Sequence, residues 1–212
     1  MEKAFWLEKW QKMEIGFHNA EAHPLLVKHF DALNLPKGSR LFLPLCGKTL
    51  DIGWLLGNGY QVAGAELSET AVVQLFEQLQ VAPTVDELGE LKRYSADGID
   101  IFVGDIFQLD TDTLGEVDAI YDRAALVALP ESMRARYAQL LIALTTTAQQ
   151  LLITFDYDQS QIAGPPFCVD SDEVKALYSE NYTLSLLQEV NVPGGLKGKC
   201  PAQEQVWRLQ PR

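Results

Sequence analysis

Three polar side chains in this 212-residue chain stand at the ends of apolar runs. Glu66 closes one run, Asp105 follows the next, and Arg123 follows a third. In an open α/β sheet, ligands bind outside the carboxyl ends of the strands, where an acidic side chain can accept hydrogen bonds from ribose hydroxyls. The three residues therefore predict a nucleoside pocket at one edge of a sheet.

The turn that precedes Glu66 discriminates between nucleoside ligands. The string Leu45-Cys-Gly-Lys-Thr-Leu50 carries one glycine, whereas a dinucleotide turn carries Gly-x-Gly-x-x-Gly for close approach of a pyrophosphate. The chain also lacks the phosphate loop of nucleotide triphosphatases and the Gly-x-Ser-x-Gly elbow of α/β-hydrolases. A ligand with a ribose but no pyrophosphate fits this turn, and S-adenosylmethionine fits better than NAD.

Other side chains suit the remaining parts of such a ligand. Ile106 can pack on an adenine ring beside Asp105. Arg123 can bind a carboxylate, such as the methionyl end, in two-pronged geometry, or favour the thiolate form of an acceptor. Trp10 and Phe17 precede the sheet, and aromatic faces attract cations such as a sulfonium. For these two aromatic residues, core packing is the alternative interpretation.

The cysteines do not form a recognisable motif. They stand at positions 46, 168 and 200 without Cys-x-x-Cys spacing, which argues against a disulfide scaffold or a structural zinc site. Cys46 lies in the ligand turn and could be a reactive thiol, but a small buried apolar residue is the favoured interpretation.

Metal binding is a minor alternative. The three histidines have no ligand spacing: His18, His23 and His29. Three carboxylates would hold a divalent ion if they met above the sheet, as in a metal-assisted O-methyltransferase: Asp122, Asp156 and Asp158. We predict no metal site.

Composition and charge exclude several functions. The net charge is −12 without a Lys/Arg cluster, whereas nucleic-acid binders need a basic face. No apolar run approaches the roughly 20 residues that span a bilayer, and the N-terminus lacks the apolar region of a signal peptide. We therefore expect a cytoplasmic monomer that binds neither nucleic acid nor membrane. We predict a single domain with an N-terminal helical lid segment at residues 1–38 and an α/β core at residues 39–212.

Strands and helices alternate after residue 39, which predicts a mostly parallel sheet with helices on both faces. Ser68 suits the N-cap of a helix that ends near Gln80, and Gly59 suits a left-handed helix end. Predicted strands lie at 41–45, 61–66, 99–103, 117–121, 151–155, 183–192 and 204–209. Predicted helices lie at 5–13, 24–33, 49–58, 69–80, 131–149 and 170–178. Residues 83–96 and 156–169 are predicted loops, and the second is expected to close over a substrate.

With these residues in place, the chain resembles the thiopurine S-methyltransferase family, and its bacterial branch in particular, over nearly its whole length. The most specific strings are Pro-Leu-Cys-Gly-Lys48 and Asp122-Arg-x-Ala-Leu-Val-Ala128. The other matching strings are Trp6-Leu-Glu-Lys-Trp10, Ile15-Gly-Phe-His18, Gly64-Ala-Glu-Leu-Ser68 and Gly164-Pro-Pro-Phe167.

The resemblance implies a Rossmann-like class I methyltransferase fold, an α/β fold with a seven-stranded, mostly parallel sheet and one antiparallel strand. It implies methyl transfer from S-adenosylmethionine to the sulfur of small aromatic or heterocyclic thiols, thiopurines included, and it extends to selenium and tellurium detoxification. It also implies that S-adenosylmethionine contacts Trp10, Leu45, Glu66, Ile106 and Arg123. Phe17 is implied to lie against the substrate ring.

Other classes of function are weighed against this one. A nicotinamide-dependent oxidoreductase would need the missing glycine fingerprint. A non-catalytic nucleoside-binding module would share the fold. A nucleic-acid methyltransferase is opposed by the acidic charge and by Asp122-Arg-Ala-Ala125, where amino-methylating enzymes carry an Asn/Asp-Pro-Pro-aromatic string.

Overall fold

Five parallel strands form the centre of a mixed sheet in the computed structural model, which describes residues 3–16 and 18–212. The strands of the described residues are β1 (Arg40–Pro44), β2 (Gln61–Glu66), β3 (Thr84–Leu88), β4 (Leu91–Ala96), β5 (Ile99–Val103), β6 (Ala119–Arg123), β7 (Gln149–Tyr157), β8 (Tyr182–Asn191) and β9 (Ala202–Pro211). The α-helices are α1 (Lys3–Gln11), α2 (Pro24–His29), α3 (Asp51–Gly57), α4 (Glu69–Leu79), α5 (Thr111–Leu114), α6 (Glu131–Leu144) and α7 (Ser171–Tyr178). Short 3₁₀ helices lie at Phe30–Leu33, Ile106–Gln108 and Leu126–Ala128.

The strand order defines the edge where a ligand can bind. It is β3-β4-β5-β2-β1-β6-β7-β9-β8, and β5, β2, β1, β6 and β7 pair in parallel. The chain leaves β1 towards β2 on one side and later returns to β6 on the other, so a crevice opens beyond the carboxyl end of β1.

Alternating side chains of the central parallel strands pack into two separate cores, which confirms helices on both faces. On β1, Leu41 and Leu43 join one core with residues of α2, α3 and α4, such as Leu26 and Phe76. Phe42 points the other way and joins a core with α6 and α7. Successive side chains of a strand face opposite sides of the sheet, so a strand buried on both faces is continuously apolar.

The seven predicted strands are present, but a count of seven is wrong for the sheet. Residues 83–96, predicted as a loop, form the β3–β4 hairpin, which pairs antiparallel with β5. Both β4 and β9 therefore run against the parallel strands, where one antiparallel strand was expected. All five residues of β3 are exposed, so the strand carries no buried alternation to reveal it. Backbone pairing and a cross-strand ion pair of Asp86 with Arg93 at 2.7 Å hold it.

Most elements differ from their predicted bounds at one end or at both, and α6 and β6 are two informative cases. Helix α6 ends at Leu144 rather than near Gln149, because Thr146 and Thr147 adopt left-handed backbone angles (φ of 51° and 61°) that a helix cannot continue. Strand β6 runs two residues beyond its predicted end, so Arg123 is the last residue of the strand.

The predicted start of α4 and the predicted end of α3 are confirmed. The Ser68 hydroxyl accepts a hydrogen bond from the Ala71 N–H at the N-terminus of α4. Gly59 follows α3 with a φ of 79°. Strands β2 and β5 have the predicted bounds. No helix within residues 3–16 and 18–212 is long and apolar enough to cross a membrane.

Gly64 is required by close packing at the centre of the sheet. A Cβ there would lie 2.7 Å from Ile101 Cδ1 and 2.9 Å from Cys46 Sγ. We expect Gly64→Ala to lower the free energy of unfolding by about 1–3 kcal/mol through overpacking, measured by urea denaturation. The matched variant Gly57→Ala meets nothing within 4 Å and should instead stabilise the helix end by about 0.5–1 kcal/mol. Equal effects of the two substitutions would contradict this packing argument.

Candidate active site

A cleft of about 250 Å³ opens at the carboxyl ends of β1, β2, β5 and β6. Side chains from these four strand ends line one side, and Lys3, Trp6 and Trp10 of α1 line another. The cleft therefore lies at the switch point of the sheet, which is where open α/β folds bind nucleosides. Four of the predicted site residues line it together with Trp10: Leu45, Glu66, Ile106 and Arg123.

Glu66 is held in the cleft by two turns of the chain. One carboxylate oxygen accepts the Gly47 N–H at 2.8 Å, and the other accepts the Ser68 N–H at 2.7 Å. The side chain is only 5 % exposed, and this burial raises the pKa of Glu66 although backbone hydrogen bonds oppose the rise. Each oxygen keeps a further lone pair for a ligand hydroxyl, so the carboxylate is oriented before any ligand arrives.

Asp105 begins the segment that lines the cleft after β5. Its carboxylate caps the 3₁₀ turn by accepting the Phe107 N–H at 3.1 Å, and Ile106 is buried behind it. Lys3 of α1 forms an ion pair with Asp105 at 2.9 Å, so the N-terminal helix is attached to this strand end. Arg136 of α6 stacks over the Phe107 ring at 4.1 Å from its centroid. An apolar slot with a polar edge results, which suits a flat heterocycle.

Asp122 and Arg123, adjacent at the end of β6, have separate roles. Asp122 is fully buried, and its carboxylate accepts the Leu126 N–H at 3.1 Å and the Tyr137 hydroxyl at 2.7 Å. This carboxylate therefore fixes the turn after β6, while Arg123 lines the cleft. An arginine at a strand end can present two parallel N–H groups to a carboxylate.

Two non-glycine residues with left-handed backbones stand side by side at the cleft. Leu45 has a φ of 48° after β1, and Ala124 has a φ of 61° after β6. Both line the cleft, and β1 and β6 are neighbours in the sheet. Such conformations are costly for a bulky side chain and are found where surrounding structure imposes them, often at ligand sites.

The family model for thiopurine S-methyltransferase matches residues 1–210 of this chain. The thiopurine S-methyltransferase of Xanthobacter autotrophicus is 56 % identical over 211 residues, which cover 99 % of each chain. The chain belongs to the thiopurine S-methyltransferase family. The probable thiopurine S-methyltransferase of Yarrowia lipolytica is 47 % identical, over 90 % of this chain and 91 % of its own.

Solved structures confirm the class I methyltransferase fold of this family member. A Burkholderia thailandensis 1,6-didemethyltoxoflavin-N1-methyltransferase, solved with S-adenosylhomocysteine, matches with a TM-score of 0.67 at 15 % identity, over 98 % of this chain and 87 % of its own. A SAM-dependent methyltransferase of Anabaena variabilis matches with a TM-score of 0.64 at 14 % identity, over 98 % and 95 %. At these identities the similarity concerns the fold alone.

The N-terminal helix of this methyltransferase forms a wall of the cleft. Trp10 is 3 % exposed and lines it, with Trp6 one turn earlier. The two interpretations of Trp10, packing in the core and contact with the cleft, therefore both hold. The predicted substrate residue Phe17 lies outside the described residues.

Cys46 and Asp122 do not suit the alternative chemistries weighed for them. Cys46 is buried, and burial together with the charge of Glu66 raises the pKa of its thiol well above its ordinary value. It therefore lacks the thiolate character of a reactive cysteine. Asp122, the first residue of the metal alternative, directs its oxygens to Leu126 and Tyr137. Among the described residues, no group of three His, Cys, Asp or Glu side chains could hold a metal ion.

The long loop after β7 does not line the cleft, and its closure over a substrate stays a prediction. None of residues 156–169, all of which are described, lines the cleft. The loop instead packs beside the turn after β6, where the Phe167 N–H donates to the Val127 carbonyl at 2.7 Å. In the structure the cleft is flanked by α1 rather than by this loop.

Sequence reasoning missed a buried network beneath the cleft. Asp51, at the start of α3, is 1 % exposed and lines the cleft. Its carboxylate accepts the His23 N–H at 2.6 Å and the Tyr121 hydroxyl at 3.1 Å, and His23 Nε2 lies 3.3 Å from a Glu204 carboxylate oxygen. The four residues come from four different segments of the chain, so no local motif could have indicated them. The network fixes the cleft floor.

The buried Asp122 should give the protein a specific pH dependence of stability. Burial raises the pKa of Asp122 from 3.8 to about 6. Between these values the native state holds a proton that the unfolded chain has lost, so the free energy of unfolding falls as pH rises from about 4 to 6. The change is about 3 kcal/mol by linkage.

The Asp122→Asn substitution removes the titrating carboxyl group and with it this pH-dependent part of the free energy of unfolding. We expect the unfolding free energy of the variant, relative to the unmodified protein, to rise by about 2–3 kcal/mol between pH 4 and pH 7. Urea denaturation at four pH values measures the difference. A constant offset across this range would show that Asp122 does not titrate there.

Proposed function

We propose that this protein transfers the methyl group of S-adenosylmethionine to the sulfur of small aromatic or heterocyclic thiols, thiopurines included. The observation that carries the proposal is the convergence of Glu66, Ile106 and Arg123 on one cleft in a chain whose relatives across 99 % of its length are thiopurine S-methyltransferases. S-adenosylmethionine is the cofactor of this methyltransferase family.

The described residues fit this cofactor. The Glu66 carboxylate has both oxygens fixed by backbone N–H groups, which suits a ribose diol. Ile106 and Asp105 stand at the next strand end, which suits an adenine face and its polar edge. Arg123 would hold the methionyl carboxylate. The single-glycine turn at Gly47 offers no pyrophosphate cradle.

The protein has to supply alignment more than acid–base chemistry. The cofactor, when bound, supplies an electrophilic methyl group on a sulfonium sulfur. A thiolate is already a strong nucleophile, so the residues of the cleft need mainly to hold the acceptor in line and exclude water. Trp6 and Trp10 line the cleft, and an aromatic face favours a cation. We infer that Phe17 contacts the acceptor ring and that α1 acts as the lid.

An assay with matched sulfur and oxygen acceptors tests the function. We expect methyl transfer from radiolabelled S-adenosylmethionine to 6-mercaptopurine and thiophenol, but none above background to hypoxanthine and phenol. Transfer to the oxygen acceptors would favour an O-methyltransferase. Tight binding of S-adenosylhomocysteine without transfer to any thiol would favour a non-catalytic nucleoside-binding module.

We further infer that the protein acts as a cytoplasmic monomer of a single domain, and that its acceptors extend to selenium and tellurium compounds. A selenol ionises more readily than a thiol, and the selenolate that forms is a softer nucleophile than a thiolate, so the same alignment would serve it. Transfer of label to phenylselenol at a rate comparable to thiophenol is the expected result. Sedimentation of the purified protein near 23.6 kDa tests the oligomeric state.

A further inference from the structure

Lys48 is a cleft cation whose side-chain partner is neutral. Its ammonium donates to the Gln74 amide oxygen at 2.8 Å, and Lys48 lines the cleft after the glycine turn. Among the residues that the structure describes, no carboxylate lies at ion-pairing distance from this ammonium. The ammonium is therefore not held in an ion pair, and it remains available to an anion in the cleft.

A second cation lines the cleft with Lys48, and the carboxylates of Asp51 and Glu66 are hydrogen-bonded to other groups. Arg123 lines the same cleft from the end of β6. His18 also lines the cleft, and burial together with the charges of Lys48 and Arg123 lowers its pKa, so the imidazole is neutral at pH 7. The nearby Asp51 carboxylate directs its two oxygens to the His23 N–H and the Tyr121 hydroxyl. Glu66 directs its own to Gly47 and Ser68.

Gln74 fixes where the Lys48 charge lies. It belongs to α4, the helix whose first turn is joined to Glu66 through Ser68. A neutral amide can orient an ammonium without neutralising it, whereas a carboxylate at the same place would form an ion pair. The helix that positions Lys48 is thus the same helix that is joined to Glu66, the residue whose carboxylate suits the cofactor ribose.

We propose that Lys48 binds the acceptor sulfur as its thiolate and so selects acidic thiols over neutral ones. This proposal rests on the proposed function, because it names the residue that recognises the acceptor. An ammonium within about 4–6 Å of a thiol favours the charged form and lowers the thiol pKa by 1 or more. The proton leaves to solvent when the acceptor binds, and the sulfur then needs no general base.

The test measures ionisation of a bound acceptor without turnover. 6-Mercaptopurine, whose near-ultraviolet band shifts on ionisation, is titrated in the complex with S-adenosylhomocysteine. In the unmodified protein we expect the thiol to ionise at a lower pH than in water. In Lys48→Met its pKa should rise by about 1, and its affinity at pH 7 should fall about tenfold.

Two variants make the result specific. Gln74→Glu keeps the lysine but places a carboxylate beside its ammonium, and should raise the bound thiol pKa as Lys48→Met does. Lys28→Met is the matched control, since Lys28 also donates to a glutamine oxygen, that of Gln188 at 2.7 Å, but lies outside the cleft. It should change nothing.

Four outcomes would overturn the proposal. An unchanged thiol pKa in Lys48→Met, or a thiol pKa that is not lowered in the unmodified protein, contradicts thiolate binding. A tenfold loss of S-adenosylhomocysteine affinity in Lys48→Met with an unchanged thiol pKa would assign Lys48 to the cofactor carboxylate instead. If the unmodified protein binds S-adenosylhomocysteine but no aromatic thiol, the proposed acceptor class itself fails, and the Lys48 proposal fails with it.

Discussion

Replacing Glu66 by alanine is expected to weaken S-adenosylhomocysteine binding about 100-fold. Hydrogen bonds to a charged group contribute about 1.5–3 kcal/mol, and a ribose diol would make two of them to the one carboxylate. A loss near 3 kcal/mol corresponds to two factors of ten in Kd. Isothermal titration calorimetry measures the affinity directly and needs no acceptor.

Structure and binding must be separated in this experiment, because Glu66 also accepts the Gly47 and Ser68 N–H groups. Glu66→Gln keeps the shape, but its amide turns two donors towards one of these N–H groups, so we expect a loss of tenfold or more here as well. Glu69→Ala is the control, since Glu69 is exposed and pairs with Lys92 and Tyr94. Its Kd should stay within twofold. Retained affinity in a folded Glu66→Ala protein would remove Glu66 from the cofactor site.

Replacing Arg123 by alanine is expected to lower the affinity for S-adenosylhomocysteine about 30-fold and kcat/KM by more. The first loss follows from one charge-assisted contact to the methionyl carboxylate, worth about 2 kcal/mol. The second includes misalignment of the methyl group, since the contact sets the position of the methionyl end. Arg123→Lys should recover part of the affinity, because an ammonium keeps the charge but loses the two-pronged geometry.

Calorimetry with S-adenosylhomocysteine and single-acceptor kinetics together distinguish the two effects. Arg93→Ala offers a matched control, because Arg93 pairs with Asp86 on the edge hairpin and does not line the cleft. If Arg123→Ala leaves both the affinity and kcat/KM intact, Arg123 has neither role.

Apolar periodicity was sufficient to predict the parallel core. Strands β2 and β5 have their predicted bounds because each is a mostly buried run, which ends at Glu66 in β2 and before Gly104 in β5. The β3–β4 hairpin could not be predicted this way, since β3 is exposed along its whole length. Its stability comes from pairing with β4 and, through β4, with β5, which is a tertiary cause that no local pattern carries.

The cleft likewise contains residues that local sequence patterns could predict and residues that they could not. Glu66, Asp105 and Arg123 could be predicted because each closes or follows a strand, and parallel strand ends meet at one edge. Asp51 and Arg136 could not, because they reach the cleft from helices whose orientation depends on core packing. The charge state of His18 likewise depends on Lys48 and Arg123, which are distant from it in sequence.

Strand β9 pairs with β7 along residues 150–157, although residues 158–201 separate the two in the chain. A ribosome adding roughly 5–20 residues per second spends on the order of several seconds on that interval. During that time every residue that lines the cleft has already been made, but one edge of the apolar strand β7 still lacks its partner. Unpaired edges recruit other chains. We therefore expect the vulnerable period in the biogenesis of this methyltransferase to fall after its binding residues are complete, and chaperone protection to be needed then.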